Sequence, residues 1–232
     1  MTLTEIFSLF TRLDAAALTL FVLSWLLLGL RVETSRFRRS SVAVIMARYR
    51  REWMLHHIRR EPRVFDAMIL ASLREGTAFF ASACMIALGG GLALIGNTER
   101  LASLTADFPI EGTALTWEIK LLVPLILVTN AFLKFVWSNR VFGYCSVMMG
   151  SIPNDVSDPQ AERRARRAGM LNIEAAKAFN RGLRSTYFAL GSLAWLLGAV
   201  PFIMATSLTA LTIWHREFAS KSRRVLLEDP SE

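Results

Sequence analysis

Four long apolar runs limit what this chain can fold into more than any other feature. Ala15–Leu30 has no charge, Thr77–Ile95 follows, Thr113–Trp137 is interrupted by Glu118, Lys120 and Lys134, and Tyr187–Trp214 is charge-free throughout. A hydrocarbon core of about 30 Å takes roughly 20 helical residues at about 1.5 Å each. The last three runs meet that length. The first has sixteen residues and reaches about 24 Å. Arg31 can snorkel at one end of it, and Leu3–Leu13 can lie at the other interface. Composition agrees: of 232 residues, 53% are hydrophobic and only 20% charged, yet Lys and Arg outnumber Asp and Glu by 27 to 19. Greasy spans averaged with basic loops give this combination. It excludes a disordered chain, a collagen-like fibre and, with two Cys, a secreted disulfide scaffold.

The reading is an all-α membrane protein, one membrane domain over residues 1–232. It has four transmembrane helices at about 14–31, 77–95, 113–137 and 187–214. Residues 31–76 and 138–186 together hold nineteen of the 27 basic residues. The positive-inside rule puts both segments in the cytoplasm and both termini outside, in a bacterial inner membrane. No cleavable signal peptide is evident, because Glu5 and Asp14 stand where a positive n-region belongs.

The cytoplasmic segments carry helical extensions. Val42, Ile45, Met46, Tyr49 and Trp53 recur at helical spacing after Ser40 or Ser41 as cap. Two readings fit: an amphipathic helix lying in the interface, or a helix folded back on its own bundle. Glu61-Pro62 restarts the chain, and Arg63–Glu75 runs into the second span. Asp158-Pro159 caps another helix, in which Ala161, Ala165, Ala168, Ala175 and Ala176 permit close approach. It continues into the fourth span, with Gly169 and Gly182 as weak points and a kink at Pro201. Ala83, Ala87 and Gly91, and likewise Gly191, Ala194 and Gly198, offer small surfaces for helix packing.

Chemistry concentrates in the third span. Thr116, Lys120, Val123, Leu127, Asn130, Lys134 and Trp137 share one helical face. A lysine at the bilayer centre costs about 2.5–3.5 kcal/mol, so this face turns away from lipid. Lys120, Asn130 and Lys134 either line a polar path or anion site, or snorkel and hydrogen-bond to a neighbouring helix. Glu118 points to nearly the opposite side. Arg48 and Arg51, and Asn180, Arg181 and Arg184 at the mouth of the fourth span, are candidates for anionic headgroups or phosphate. His56 and His57 are adjacent and cannot grip one ion together, and read as interfacial residues. Cys84 and Cys145 suit packing. No nucleotide, protease or metal signature is present, so no catalytic residue, cofactor, metal or nucleic-acid partner is expected.

Several segments carry a resemblance: Arg51-Glu52-Trp53-Met54, Arg60-Glu61-Pro62-Arg63, Phe79-Phe80-Ala81-Ser82, Glu118-x-Lys120-Leu121, Phe132-Leu133-Lys134-Phe135-x-Trp137 and Phe179-Asn180-Arg181-Gly182-Leu183-Arg184. In this order the chain resembles domain of unknown function family 599, a group of bacterial and plant membrane proteins. The resemblance implies a multi-span membrane protein and carries no activity or cofactor. The expected function is a self-associating structural or partner-binding membrane protein in contact with anionic lipid, either on its own or docked on a larger membrane complex. The alternative is an oligomeric channel or transporter that uses the polar face of the third span.

Overall fold

A computed structural model describes residues 10–34, 39–97 and 114–228. The loop expected at 96–112 and the interfacial stretch Leu3–Leu13 fall largely outside the described residues. The described chain is helical, with no strand: α1 (Arg12–Glu33), α2 (Val42–His57), α3 (Val64–Ile95), α4 (Ala114–Gly150), α5 (Pro159–Ser192), a 3-10 turn (Leu193–Leu197), α6 (Ala199–Phe218) and α7 (Lys221–Val225). Three helices are long and apolar enough to cross a membrane: α1, α3, and α4 from Leu115 onward.

The pair α4–α5 forms the spine. Ala165, Ala168, Ala175, Ala178 and Gly182 are buried along α5, and their small size lets the helix backbones approach. The Ser138 hydroxyl therefore reaches across and donates to the Ala175 carbonyl at 2.7 Å. Gly182 is not a weak point but a requirement, because a Cβ there would lie 2.6 Å from the Phe135 ring. Phe135, fully buried, stacks on Phe80 of α3 at 5.3 Å and meets Phe179 of α5 at 5.5 Å.

Lengths set the next feature. α3, α4 and α5 have 32, 37 and 34 residues, about 48–55 Å at 1.5 Å per residue. Each is well over the length needed to cross a bilayer core of about 30 Å. The surplus gathers at one end, where the start of α3, the end of α4 and the start of α5 meet. Asn139 donates to Arg74 O at 3.0 Å and Thr77 Oγ1 at 2.8 Å there. This basic end carries the arginine-dense segments.

α2 settles the choice left open by its pattern. It packs along α5 rather than lying in an interface: Ile45, Met54 and His57 are buried, and Gly169 leaves room for Met54, whose Cβ is 3.5 Å from where its own would be. Ser41 is the cap. Its hydroxyl accepts from Val44 N at 3.2 Å and donates to Val32 O at 2.6 Å, tying α2 to the end of α1. Burial among these helices pushes the Arg50 guanidinium below its ordinary pKa, and Arg50 donates to Asn172 Oδ1. α3 begins at Val64, two residues beyond Pro62.

The expected fourth span is corrected. Residues 187–214 do not form one kinked helix but a hairpin. α5 ends at Ser192, tightens into the 3-10 turn, and breaks at Gly198, whose φ of 116° is open to glycine and strained for other residues. Pro201 then sits in the first turn of α6, where proline is tolerated. Arg216 donates to the Tyr187 hydroxyl at 2.7 Å, whereas a continuous helix would hold these residues about 44 Å apart. Gly191 permits the close return, since its Cβ would fall 2.9 Å from Thr209 Oγ1.

The hairpin also sets the first and last described residues at opposite ends of the bundle, an arrangement different from the expected one with both ends on one side. α6 runs alongside α1, with Phe10 near Trp195 at one end (5.6 Å) and Arg31 over Phe218 at the other (4.4 Å). Beyond α6, Arg223 donates to Ser40 O at 3.0 Å and Tyr49 to Leu226 O at 3.1 Å. The last described residues therefore lie at the basic end, opposite Phe10.

A Gly182→Val substitution should cost about 1–3 kcal/mol through overpacking against Phe135. Gly143→Ala, with open space around its Cβ, should be neutral or gain up to about 1 kcal/mol from helix propensity. Thermal unfolding of the detergent-solubilised variants compares the two.

Candidate functional site

The polar face of α4 points into the protein. Lys120 is buried, with its ammonium 5.9 Å from the Trp195 ring centre and within electrostatic reach of Asp14. Asp14 is itself committed: one oxygen accepts from Thr11 N at 3.0 Å in a capping box, and the other from Trp195 Nε1 at 2.7 Å. Asn130 donates to Ser185 Oγ at 2.7 Å, a hydrogen bond to a neighbouring helix. Between these two ends lies the apolar core of Phe21, Leu127, Phe188 and Phe202. Glu118 is half-buried, and Trp137 at the far end of the stripe faces outward.

Lys134 belongs to a different place. It is half-buried and lines a groove of about 520 Å³ between α1 and the α4–α5 pair. The groove's polar end is built on Glu33, the last residue of α1. Arg181 Nε donates to both Glu33 oxygens at 2.9 and 3.0 Å, and Arg184 donates to one of them. Arg184 is buried and Arg181 exposed. The Glu33 hydrogen bond holds the Arg181 guanidinium above its ordinary pKa. These arginines are thus engaged across helices rather than standing as free flanking cations. Asn180 beside them is half-buried. Arg48 and Arg51 lie elsewhere, exposed on α2, with Arg48 3.9 Å from Glu52.

A second cluster was not singled out from the sequence. Asp66, in the first turn of α3 and fully buried, accepts from Trp53 Nε1 at 2.6 Å and Arg60 Nη1 at 2.9 Å. Its other oxygen lies 2.5 Å from His57 Nδ1. His57 is therefore buried structure and not interfacial, while His56 is exposed. Arg63 completes the junction by donating to Ile58, Ile152 and Pro153 carbonyls. A cavity of about 390 Å³ borders the cluster, with Arg63, Ser146 and Asn154 in its lining. One signal was available: an aspartate among Val64, Phe65, Met68 and Ile69, four residues after Pro62.

Among the described residues no group of three His, Cys, Asp or Glu side chains converges to hold a metal. Cys84 and Cys145 are free, buried thiols in separate clusters. Cys145 donates to Ala168 O at 3.3 Å.

Arginine–glutamate and aspartate hubs at one end, an aromatic core and apolar surface around it make an all-helical protein, three of whose described helices are long and apolar enough to cross a membrane. The exposure is informative: in the most apolar eighteen residues of α3 only 6% are buried, and in those of α1 11%. Surfaces this apolar are not left facing water in monomeric soluble proteins. The chain belongs to the family described as Protein of unknown function, DUF599, whose sequence model matches residues 16–222. No curated protein and no solved structure matches it. The segments that carry the resemblance meet in three dimensions: Phe80, Phe135 and Phe179 stack together, and Trp53 and Arg60 share Asp66.

Removing Asp66 strands Arg60 and His57 without their acceptor. Asp66→Ala should cost about 3–5 kcal/mol, while Glu52→Ala, at an exposed surface pair, should cost less than about 1 kcal/mol. Thermal midpoints of the two variants give the comparison.

Proposed function

We propose that this is a multi-pass protein of the bacterial inner membrane that acts as a self-associating binding component and not as an enzyme. It crosses five times: α1, α3, α4, the last part of α5 with its 3-10 turn, and α6. The basic end is cytoplasmic. The hairpin supports this orientation, because it adds the four C-terminal cations to the nineteen already at that end. Phe10 then lies outside and the end of α6 inside.

The observation that carries self-association is the bare side of α3. This helix packs chiefly against α4, and Cβ atoms built at Gly89 and Gly90 meet nothing within 4 Å. Among the described residues no intramolecular contact requires these glycines, although each costs a helix about 1 kcal/mol relative to alanine. Small residues on an exposed membrane helix favour close approach of another helix. Beside them runs an apolar groove of about 510 Å³ lined by Phe79, Ala83, Ala87, Gly90 and Leu125. A conduit along α4 has less support, since Phe21, Leu127 and Phe188 separate Lys120 from Asn130.

Two measurements test this reading. Alkaline phosphatase fused after Glu228 should be silent, and a fluorescent protein fused there should fold and emit. Active phosphatase would reverse the orientation. Cross-linking in native membranes should trap a homo-oligomer that Gly90→Leu disperses. A wild type that never cross-links, or solute flux in liposomes abolished by Lys134→Ala, would favour the conduit instead.

A further inference from the structure

We propose that the groove between α1 and the α4–α5 pair seats an anionic phospholipid from the leaflet at the basic end. The inference rests on the membrane reading above and goes beyond it by naming a ligand. The groove has two chemically distinct halves. Along α1 its wall is Trp25, Leu26, Gly29 and Leu30, a surface for an acyl chain. At its polar end Arg181 and Arg184 hold a single carboxylate, Glu33, and Lys134 lines the same groove without pairing to it.

The charges do not balance. Three cations face one anion, and among the described residues the Lys134 ammonium makes no hydrogen bond or ion pair, while both arginines hold Glu33. Glu33 fixes the guanidinium planes without consuming the positive charge. The surplus lies at the depth where the apolar run of α1 gives way to Arg31 and Glu33, which is headgroup depth for a helix inserted at this end. Basic pockets between membrane helices on the cytoplasmic side recognise phosphate-bearing headgroups in this manner. The apolar half distinguishes a lipid from a soluble anion, because a free phosphate has no use for it. Gly29 marks that half: a Cβ there would meet nothing within 4 Å, so the space beside it is open to a chain.

The test is lipid retention by the purified full-length protein in mild detergent, followed by native mass spectrometry with added phosphatidylglycerol or phosphatidylcholine. Phosphatidylglycerol should bind preferentially, and Lys134→Gln should weaken it about tenfold or more, the scale of one hydrogen bond to a charged group. Gly29→Leu removes no charge and fills the chain half, so it should also reduce binding while keeping the wild-type thermal midpoint. Arg163→Gln, an equal loss of charge at an exposed position near the start of α5 and outside the groove lining, should change nothing. Equal retention of both lipids overturns the proposal, as does wild-type binding by both groove variants. Displacement by millimolar inorganic phosphate alone also overturns it, because the ligand would then be a soluble anion. A protein that stays in solution without detergent would sink the membrane reading itself; a detergent-dependent protein without lipid preference sinks only this inference.

Discussion

The close approach of α4 and α5 is the constraint on which the rest depends. Small side chains along α5 bring the two backbones near enough for a serine hydroxyl to bond a facing carbonyl, and Gly182 clears the space for Phe135. The other long helices then pack on this pair or on one another. α3 docks on α4 through Phe80, α2 lies along α5 over Gly169, and α1 and α6 close around Phe188. Bulk at Gly182 would loosen the aromatic cluster that joins α3, α4 and α5.

The charged residues follow a common logic. Few of those nearest the bundle are left alone: Asp14 joins α1 to the hairpin turn, Glu33 joins α1 to α5, and Asp66 joins α2 to α3. In each case one carboxylate fixes the relative position of two elements. Such groups are dear to bury and dearer to orphan, so they specify geometry more than they add stability. The groove at Glu33 differs because its cations outnumber their partner.

Much of this was legible from one chain. The apolar runs gave α1, α3 and α4; the alanines of α5 and the start of α3 followed from spacing and from Pro62. The polar face of α4 stood out by its spacing, and in the structure Lys120 is buried and Asn130 bonds Ser185 of α5. The hairpin was not legible, because a charge-free stretch offers no marker of where it turns. Its one warning was length: 28 residues span about 42 Å as a helix, more than a bilayer core needs. Gly198 decides the break through its backbone conformation, and that is invisible beside Gly191, which serves packing. Asp66 was missed because its partners, Trp53, His57 and Arg60, lie on other elements, and periodicity within one helix cannot report a junction between helices.

The turn at Leu193–Gly198 bears on how the chain is built into a bilayer. It contains no ionisable group, and the two arms beside it hydrogen-bond their own backbones. Nothing in that tip has to shed a tightly held hydration shell, so in the topology proposed above the arms could enter as a paired unit from the side where they are synthesised. Insertion of the final two helices would then demand only that greasy surface leave water, with Arg216 and the cations after it staying behind as a natural stop.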